Sequence, residues 1–249
     1  MVPQISPPRL PLLYRLYDLA WQAAIPLLGH NQRLAAGYPQ RRLQAPPYPK
    51  SDLWIHAASV GEVYLALEII SKLQQVTNPS ILVTTNTAEG KTILTSACEA
   101  RGNGPHRRNT VKAAYFPFDA PSLMGKAIEQ IQPRAAVVLE GELWPGMMHC
   151  LKRRQIPLLV INGRLSAPSF RHLKLIRPHL QAATPDQILA ISPSDAARFA
   201  ALFGKSRVTT MPNIKFDQLT QDVPETPSPP CLPLSPGGHF VVLGSVREP

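Results

Sequence analysis

Short apolar runs and helical patterns alternate along the chain from residue 52 onwards. The predicted strands cover residues 53–57, 80–85, 112–117, 135–140, 157–162, 187–192 and 207–211. The predicted helices cover residues 60–75, 88–100, 121–131, 145–154, 170–182 and 194–203. Strands that alternate with helices form parallel sheets, and continuously apolar strands are buried on both faces. The pattern therefore predicts an α/β fold with a doubly wound parallel sheet.

Polar residues and glycines are concentrated directly after several of these strands. Ligands of doubly wound sheets bind beyond the carboxyl ends of the strands, where the strand order reverses. The segments in that position are HAASVGE (56–62), TTNTAEG (84–90), LEGELWP (139–145), INGRLS (161–166) and MPNIKFD (211–217). We expect these segments to form the walls of a binding cleft.

The first 50 residues differ from the rest, because an apolar and aromatic run is followed by basic, proline-rich sequence. The run at 10–28, LPLLYRLYDLAWQAAIPLL, carries Arg15 and Asp18, which argues against a helix that spans a membrane. Leucine and aromatic side chains beside arginines are typical of a helix that lies in the headgroup region of an anionic membrane. The alternative is a helix packed on the protein's own core.

The sequence predicts four segments. Residues 1–50 form a membrane-interfacial helix and a basic segment, and residues 51–217 form a Rossmann-like domain. Residues 218–238 are a Pro/Ser-rich linker. Residues 239–249, HFVVLGSVREP, have the pattern of a new strand and turn. Because that strand opens a domain and the sequence then stops, we expect a second domain that is truncated.

Composition limits the partners. The formal charge of +10 and the pI of about 9.9 favour nucleic acid, acidic lipids or phosphorylated substrates. No helix-turn-helix, RNA-recognition or zinc-finger pattern is present, so nucleic acid is not an expected partner. The three cysteines have neither metal-ligand nor disulfide spacing, and are typical of a reducing cytosol. Since P-loop and dinucleotide fingerprints are also missing, we expect no metal and no cofactor.

The SVGE segment at 59–62 has two interpretations. Ser59 and Glu62 fit the capping box, in which both side chains bind backbone N–H groups at the start of a helix. Alternatively, Glu62 faces the cleft and takes a proton from a substrate. One residue can do both.

Several motifs, in their order along the chain, resemble those of the Kdo (3-deoxy-D-manno-octulosonic acid) transferases of lipopolysaccharide synthesis. They are WIHAASVGEV, ILVTTNTAEG, YFPFDAP, LEGELWPGM, IPLLVINGRLS and NIKFD. The resemblance covers about residues 10–249 and implies the N-terminal, Rossmann-like acceptor half of a GT-B glycosyltransferase, without most of the nucleotide-sugar half. It implies an enzyme on the cytoplasmic face of the bacterial inner membrane that moves Kdo from CMP-Kdo to a lipid A precursor.

The resemblance also implies roles for individual residues. Glu62 matches the general base, and Glu140 and Lys215 match residues that stabilise the transition state. Ser59, Gly61 and Arg164 are the candidate substrate-binding residues. A carboxylate can accept the proton of a sugar hydroxyl, and an ammonium group can stabilise the negative charge of departing CMP.

Simpler interpretations of the same residues stay open. Glu140 can serve the N-terminus of the helix that follows it. Lys215 can form a surface pair with Asp217. Arg164 can bind a lipid phosphate or brace a loop, and His56 within the first strand is more typical of a structural residue.

Two functions of different classes follow. The first is the Kdo transferase or its acceptor-binding half, completed by a separate C-terminal half. The second is a non-catalytic module that binds a membrane surface or a partner and has lost the donor domain.

Overall fold

The computed structural model describes residues 11–29, 31–102, 111–181 and 183–216. Its α-helices are α1 (Leu12–Leu28), α2 (Gln32–Ala35), α3 (Tyr38–Arg41), α4 (Val60–Val76), α5 (Ala88–Gly102), α6 (Pro121–Ile131), α7 (Pro145–Arg153), α8 (Ala167–Leu175), α9 (Arg177–Gln181) and α10 (Pro193–Phe203). Its strands are β1 (Leu53–His56), β2 (Ile81–Thr85), β3 (Val111–Tyr115), β4 (Ala135–Leu139), β5 (Leu158–Gly163), β6 (Gln187–Ala190) and β7 (Val208–Thr210). Short 3₁₀-helices cover Lys205–Arg207 and Ile214–Phe216.

The strands form one parallel sheet in the order β3-β2-β1-β4-β5-β6-β7. Leu53 of β1 pairs with Ile81 of β2 on one side and with Ala135 of β4 on the other. The first strand therefore lies inside the sheet, with β2 and β3 on one side of it and β4 to β7 on the other. The strand order reverses between β1 and β4. The predicted doubly wound α/β fold is confirmed, and the reversal marks where such folds bind ligands.

Helices cover both faces of this sheet. In β1, Trp54 packs in a cluster with Met124 of α6, whereas Ile55 packs in a second cluster with Ile70 of α4 and Leu94 of α5. Successive strand side chains point to opposite faces, so both faces of β1 are buried. This two-sided burial explains why the strand sequences are continuously apolar.

One predicted helix is wrong in its extent. Instead of a single helix over 170–182, the structure has α8 and α9, separated at Ile176. Pro178 supplies a physical reason, because it has no backbone N–H to donate to the carbonyl four residues earlier. The break leaves Ile176 at the junction between the two short helices.

Helix α1 contacts the sheet domain through apolar side chains and through two polar groups. The Asp18 carboxylate accepts a hydrogen bond from the backbone N–H of Ser122, in the first turn of α6, at 2.7 Å. The Tyr17 hydroxyl donates to the Asp119 carboxylate at 2.9 Å. A carboxylate at a helix N-terminus is favourable because it satisfies free N–H groups and complements the helix dipole.

The opposite face of α1 is apolar and exposed. The side chains of Leu12, Leu16 and Leu19 are 72%, 55% and 59% exposed. Because Tyr14 and Ile25 are buried on the inward face, α1 has apolar side chains on both of its faces. The structure has a helix within the predicted run 10–28 and confirms that it packs on the protein's own domain, whereas its position in a membrane stays a prediction.

Asp119 fixes the start of α7. Its carboxylate is 1% exposed and accepts hydrogen bonds from the backbone N–H groups of Gly146 and Met147, each at 2.7 Å. We expect Asp119→Asn to lower the free energy of unfolding by about 1–3 kcal/mol, because an amide has one acceptor oxygen and leaves one buried N–H without a partner. Urea unfolding followed by circular dichroism measures the loss.

Tyr17→Phe is the matched control for this substitution. It removes a single hydrogen bond to the same carboxylate and should cost about 1 kcal/mol. Equal stability of Asp119→Asn and the unsubstituted protein would contradict the assigned role of Asp119 at α7.

The structure divides into two compact units, Met1–Ile214 and Lys215–Pro249. The first unit contains the sheet together with the N-terminal segment, and only residues 215–216 of the second unit are described. The predicted linker at 218–238 and the predicted second-domain strand at 239–249 lie outside the described residues. Within the described ranges, none of the helices combines the length and apolar character needed to cross a membrane.

Candidate active site

The segments that follow β1, β4 and β5 form a cavity of about 360 Å³. Its lining residues are Glu62, Glu140, Gly141, Glu142, Arg164, Leu165, Ser166 and Ser169. The structure thus brings together three residues that the sequence predicts as functional: Glu62, Glu140 and Arg164. The cavity lies at the carboxyl ends of the strands, where the strand order reverses.

Glu62 is part of the predicted capping box at the start of α4. The Ser59 hydroxyl oxygen accepts from the Glu62 N–H at 3.4 Å, and the hydroxyl donates to Oε1 of the carboxylate at 3.0 Å. The backbone N–H of Ala58 donates to Oε2 at 2.8 Å. These contacts fix the carboxylate in one orientation, so the capping interpretation is confirmed, and the same side chain also lines the cavity.

The environment of Glu62 raises its pKa from 4.5 to about 7. Burial is the largest cause, since the side chain is 5% exposed, and the charges of Glu142 and Glu140 add to it. The hydrogen bonds from Ala58 and Ser59 oppose the rise in pKa. A carboxylate whose pKa lies near neutrality is poised to exchange a proton with a ligand.

The loop after β4 has an unusual backbone conformation. Glu140 has φ of 54°, in the left-handed region that residues with a side chain seldom occupy. Its N–H donates to the Ile161 carbonyl at 3.0 Å, and its own carbonyl accepts from the Arg164 N–H at 3.3 Å. A Cβ added at Gly141 would lie 2.5 Å from the Arg164 carbonyl oxygen, so glycine is required there. These contacts tie the loop to the one that follows β5.

Glu140 is not placed as a cap for α7. The first turn of α7 contains no acidic residue, and the N–H groups of Gly146 and Met147 bind Asp119 instead. The simpler interpretation of Glu140, that it serves this helix N-terminus, therefore loses its basis.

The loop that carries Arg164 is held by α10. The N–H of Leu165 donates to Asp195 at 2.9 Å, and the Arg198 guanidinium donates to the Leu165 carbonyl at 2.9 Å. Ser166 then caps α8 by accepting from the Ser169 N–H at 3.2 Å. The exposed Arg164 side chain thus extends from a fixed backbone into a cavity that also contains hydroxyl groups.

The remaining predicted residues have different positions. Ser59 and Gly61 are exposed at the start of α4, and a Cβ added at Gly61 would meet only the Ser59 oxygen, at 4.0 Å. Lys215 is exposed in the second unit, so its role beside the two glutamates stays a prediction. His56 is fully buried and stacks on Phe116 with ring centroids 3.8 Å apart, as expected of a structural histidine.

The sequence did not identify five of the lining residues as functional: Gly141, Glu142, Leu165, Ser166 and Ser169. Glu142 and Ser166 lie in segments that the sequence places at the sheet edge, so a signal for them existed. Burial and the charge of Glu140 raise the pKa of Glu142 as well. In the part of the chain that the structure describes, no three His, Cys, Asp or Glu side chains come together as a metal site.

This arrangement suits a ligand with hydroxyl groups and some negative charge. Glu62 can accept a proton, and Ser166 and Ser169 can hydrogen-bond to hydroxyls. Arg164 can pair with a phosphate or carboxylate, with up to five donors in a fixed geometry.

Comparisons with known proteins agree with the resemblance noted in the sequence. Residues 30–218 match the family model of 3-deoxy-D-manno-octulosonic-acid transferase (kdotransferase). The chain is 35% identical over 198 residues to the 3-deoxy-D-manno-octulosonic acid transferase of Haemophilus influenzae, covering 78% of this chain and 44% of that protein. It is 26% identical to the transferase of the same name from Bordetella pertussis, covering 70% of this chain and 40% of that one.

A third relative combines two activities in its name. The chain is 27% identical to a bifunctional glycosyltransferase/methyltransferase of Fusobacterium nucleatum, covering 66% of this chain and 25% of that protein. The chain spans less than half the length of each of these three relatives.

Proposed function

The chain belongs to the 3-deoxy-D-manno-octulosonic-acid transferase family, and from that premise we propose that it is the acceptor-binding half of a glycosyltransferase that moves Kdo from CMP-Kdo to a lipid A precursor. One observation carries the proposal. A fixed carboxylate, Glu62, has a pKa of about 7 and lines a polar cavity at the reversal of the strand order. That is the property and the place that a general base of a doubly wound glycosyltransferase requires.

The proposed mechanism is a single displacement. Glu62 takes the proton of an acceptor hydroxyl while that oxygen bonds to the anomeric carbon of Kdo, and the bond to the CMP phosphate breaks. Glu140 stabilises positive charge that develops at the anomeric carbon. Lys215 offsets the negative charge on departing CMP.

We also propose that the protein works on the cytoplasmic face of the bacterial inner membrane. Seven of the ten large apolar side chains exposed in the described residues lie on α1 or at the α8–α9 junction. The formal charge of +10 favours an anionic lipid surface. Exposed apolar groups beside basic residues are typical of proteins that lie in the headgroup region.

Arg164 provides a test of acceptor binding. We expect Arg164→Ala to weaken binding of a glucosamine phosphate by about tenfold or more, because a charge-assisted hydrogen bond to phosphate is lost. Isothermal titration calorimetry measures the affinity. Lys126→Ala, which removes an exposed cation from α6, should leave the affinity unchanged.

The whole proposal is tested by transfer itself. The chain is supplied with the C-terminal half of the Haemophilus influenzae relative, CMP-Kdo and a lipid A precursor, and the released CMP is measured. Kdo-labelled lipid that appears only when both halves are present supports the proposal. Acceptor binding without any transfer would favour the non-catalytic membrane-binding module instead.

A further inference from the structure

A second cavity is a groove of about 520 Å³ between α1 and the α8–α9 junction. It shares no lining residue with the carboxylate cavity, which is the one lined by Glu62, Glu140 and Arg164. Its two walls consist of Leu13, Leu16 and Ala20 on one side and Leu175, Ile176 and Leu180 on the other. Pro145, the first residue of α7, also lines it. A volume of this size is typical of small-molecule sites, and the lining is almost entirely apolar.

The groove is open to solvent although its walls are apolar. Leu16, Leu175 and Ile176 are 55%, 81% and 41% exposed. Its aromatic lining is held in place, since Tyr14 is 5% exposed and stacks on His149 with ring centroids 3.8 Å apart. Ordered apolar walls that remain uncovered mark a binding surface.

The exposed charges on the α8–α9 wall of this groove are all basic. Between residues 164 and 185 the chain has four arginine or lysine residues, Arg164, Arg171, Lys174 and Arg177, and no aspartate or glutamate. All four are exposed. An apolar groove bordered by cations is complementary to an amphiphile with an acyl chain and an anionic head.

Helix α8 connects the groove to the candidate active site. Ser166 and Ser169, at its beginning, line the carboxylate cavity, whereas Leu175, at its end, lines the groove. Leu175 follows Ser169 by six positions in α8, which corresponds to a rise of about 9 Å. A single glycolipid can span that distance, with its sugar in one site and an acyl chain in the other.

We propose that this groove binds one acyl chain of the acceptor glycolipid. The proposal rests on the proposed function, because it assigns the sugar of the same molecule to the carboxylate cavity. The groove then selects acylated over bare sugar phosphates and sets how deeply the sugar enters beside Glu62.

A chain-length series tests the proposal. N-acyl glucosamine phosphates with acyl chains of roughly six to twelve carbons, used below their micelle concentrations, are titrated into the protein by calorimetry. Each added methylene should strengthen binding about fourfold until the groove is full. In the double variant Leu16→Ser/Leu175→Ser this dependence should flatten. Both leucines are largely exposed, so the substitutions leave the core intact.

The control experiments distinguish an acyl chain of the acceptor from other occupants of the groove. Val76→Ser, at an 88% exposed position on α4, should keep the full dependence on chain length. A dependence that persists in the double variant overturns the proposal. So does equal binding of alkyl phosphates that lack the sugar, which would assign the groove to bulk membrane lipid. A dimer that the double variant dissociates, seen by analytical ultracentrifugation, would assign it to a second copy of the chain.

The measurements distinguish a failure of the acyl-chain proposal from a failure of the proposed function. Glucosamine phosphate without an acyl chain tests the carboxylate cavity alone. If it binds and Arg164→Ala weakens it, the acceptor site stands whatever the chain-length series shows. If it does not bind, the proposed function fails first.

Discussion

Glu62→Gln is expected to lower the rate of Kdo transfer by about a hundred- to ten-thousand-fold, which is the usual contribution of a positioned general base. An amide oxygen is a far weaker base than a carboxylate, so the variant has no general base at this position to accept the proton of the acceptor hydroxyl. Transfer is measured with the chain supplemented by the C-terminal half of the Haemophilus influenzae relative. Acceptor affinity, measured separately, should change little, because the substitution acts on the chemical step.

Glutamine is the informative replacement because it preserves the cap. Its oxygen can accept from the Ala58 N–H, and its amide can donate to the Ser59 hydroxyl oxygen, in place of the two contacts of the carboxylate. A loss of transfer with an intact circular dichroism spectrum therefore identifies a chemical role. A variant that transfers Kdo at the unsubstituted rate would show that Glu62 only caps α4.

The same variant gives a second readout through the pH dependence of stability. The folded state raises the pKa of Glu62 from 4.5 to about 7, so between these values the folded state holds a proton that the unfolded state has lost. Stability therefore falls as pH rises through this window, by about 3 kcal/mol for the full shift. Urea unfolding should show Glu62→Gln gaining stability relative to the unsubstituted protein between pH 4.5 and pH 8. A constant difference would contradict the raised pKa.

The sequence predicts the sheet well because burial of a strand on both faces requires consecutive apolar residues. In β1, Leu53, Trp54 and Ile55 are apolar at three successive positions, which is typical of a parallel strand covered on both faces. The capping box at Ser59 and Glu62 is equally local, since its partners lie within four residues. Features of this kind can be inferred without knowing how distant segments meet.

Other features depend on contacts between distant parts of the chain. The orientation of α1 follows from Asp18 binding the Ser122 N–H and Tyr17 binding Asp119, across more than a hundred residues. No periodicity in α1 shows that Asp18 is buried while Leu12 and Leu16 stay exposed. An amphipathic pattern defines two faces, and only the partners decide which of them is buried.

The candidate active site likewise combines features that are local in the sequence with features that depend on distant contacts. Glu62 and Glu140 are predicted from motifs, but their proximity depends on β1 lying next to β4 in the sheet. Gly141 carries no signal of its own, because the reason for its small size is the carbonyl of Arg164, on another loop. The strand order therefore determines which of the predicted residues share one site.

The close contact at Gly141 leads to the second large effect, a loss of transfer in Gly141→Ala. The added Cβ would lie 2.5 Å from the Arg164 carbonyl oxygen, so one of the two loops has to move. Glu140 and Glu142 flank the substitution and would move with the first loop. Displacing a catalytic group by about 1 Å can cost on the order of a hundredfold in rate. We therefore expect transfer to fall by about that factor, with a stability loss of about 1–3 kcal/mol.

Gly125→Ala is the matched control, because a Cβ at that position in α6 meets its nearest atom, in the flexible Arg154 side chain, at 3.4 Å. It should raise helix stability by about 0.5–1 kcal/mol and leave transfer unchanged. Comparing the two variants separates the geometry of the loop from the general effect of replacing glycine by alanine. Transfer at the full rate in Gly141→Ala, with an unfolding free energy as low as expected, would mean that the positions of Glu140 and Glu142 do not control the reaction. Glu140 would then need a role other than the one proposed for it.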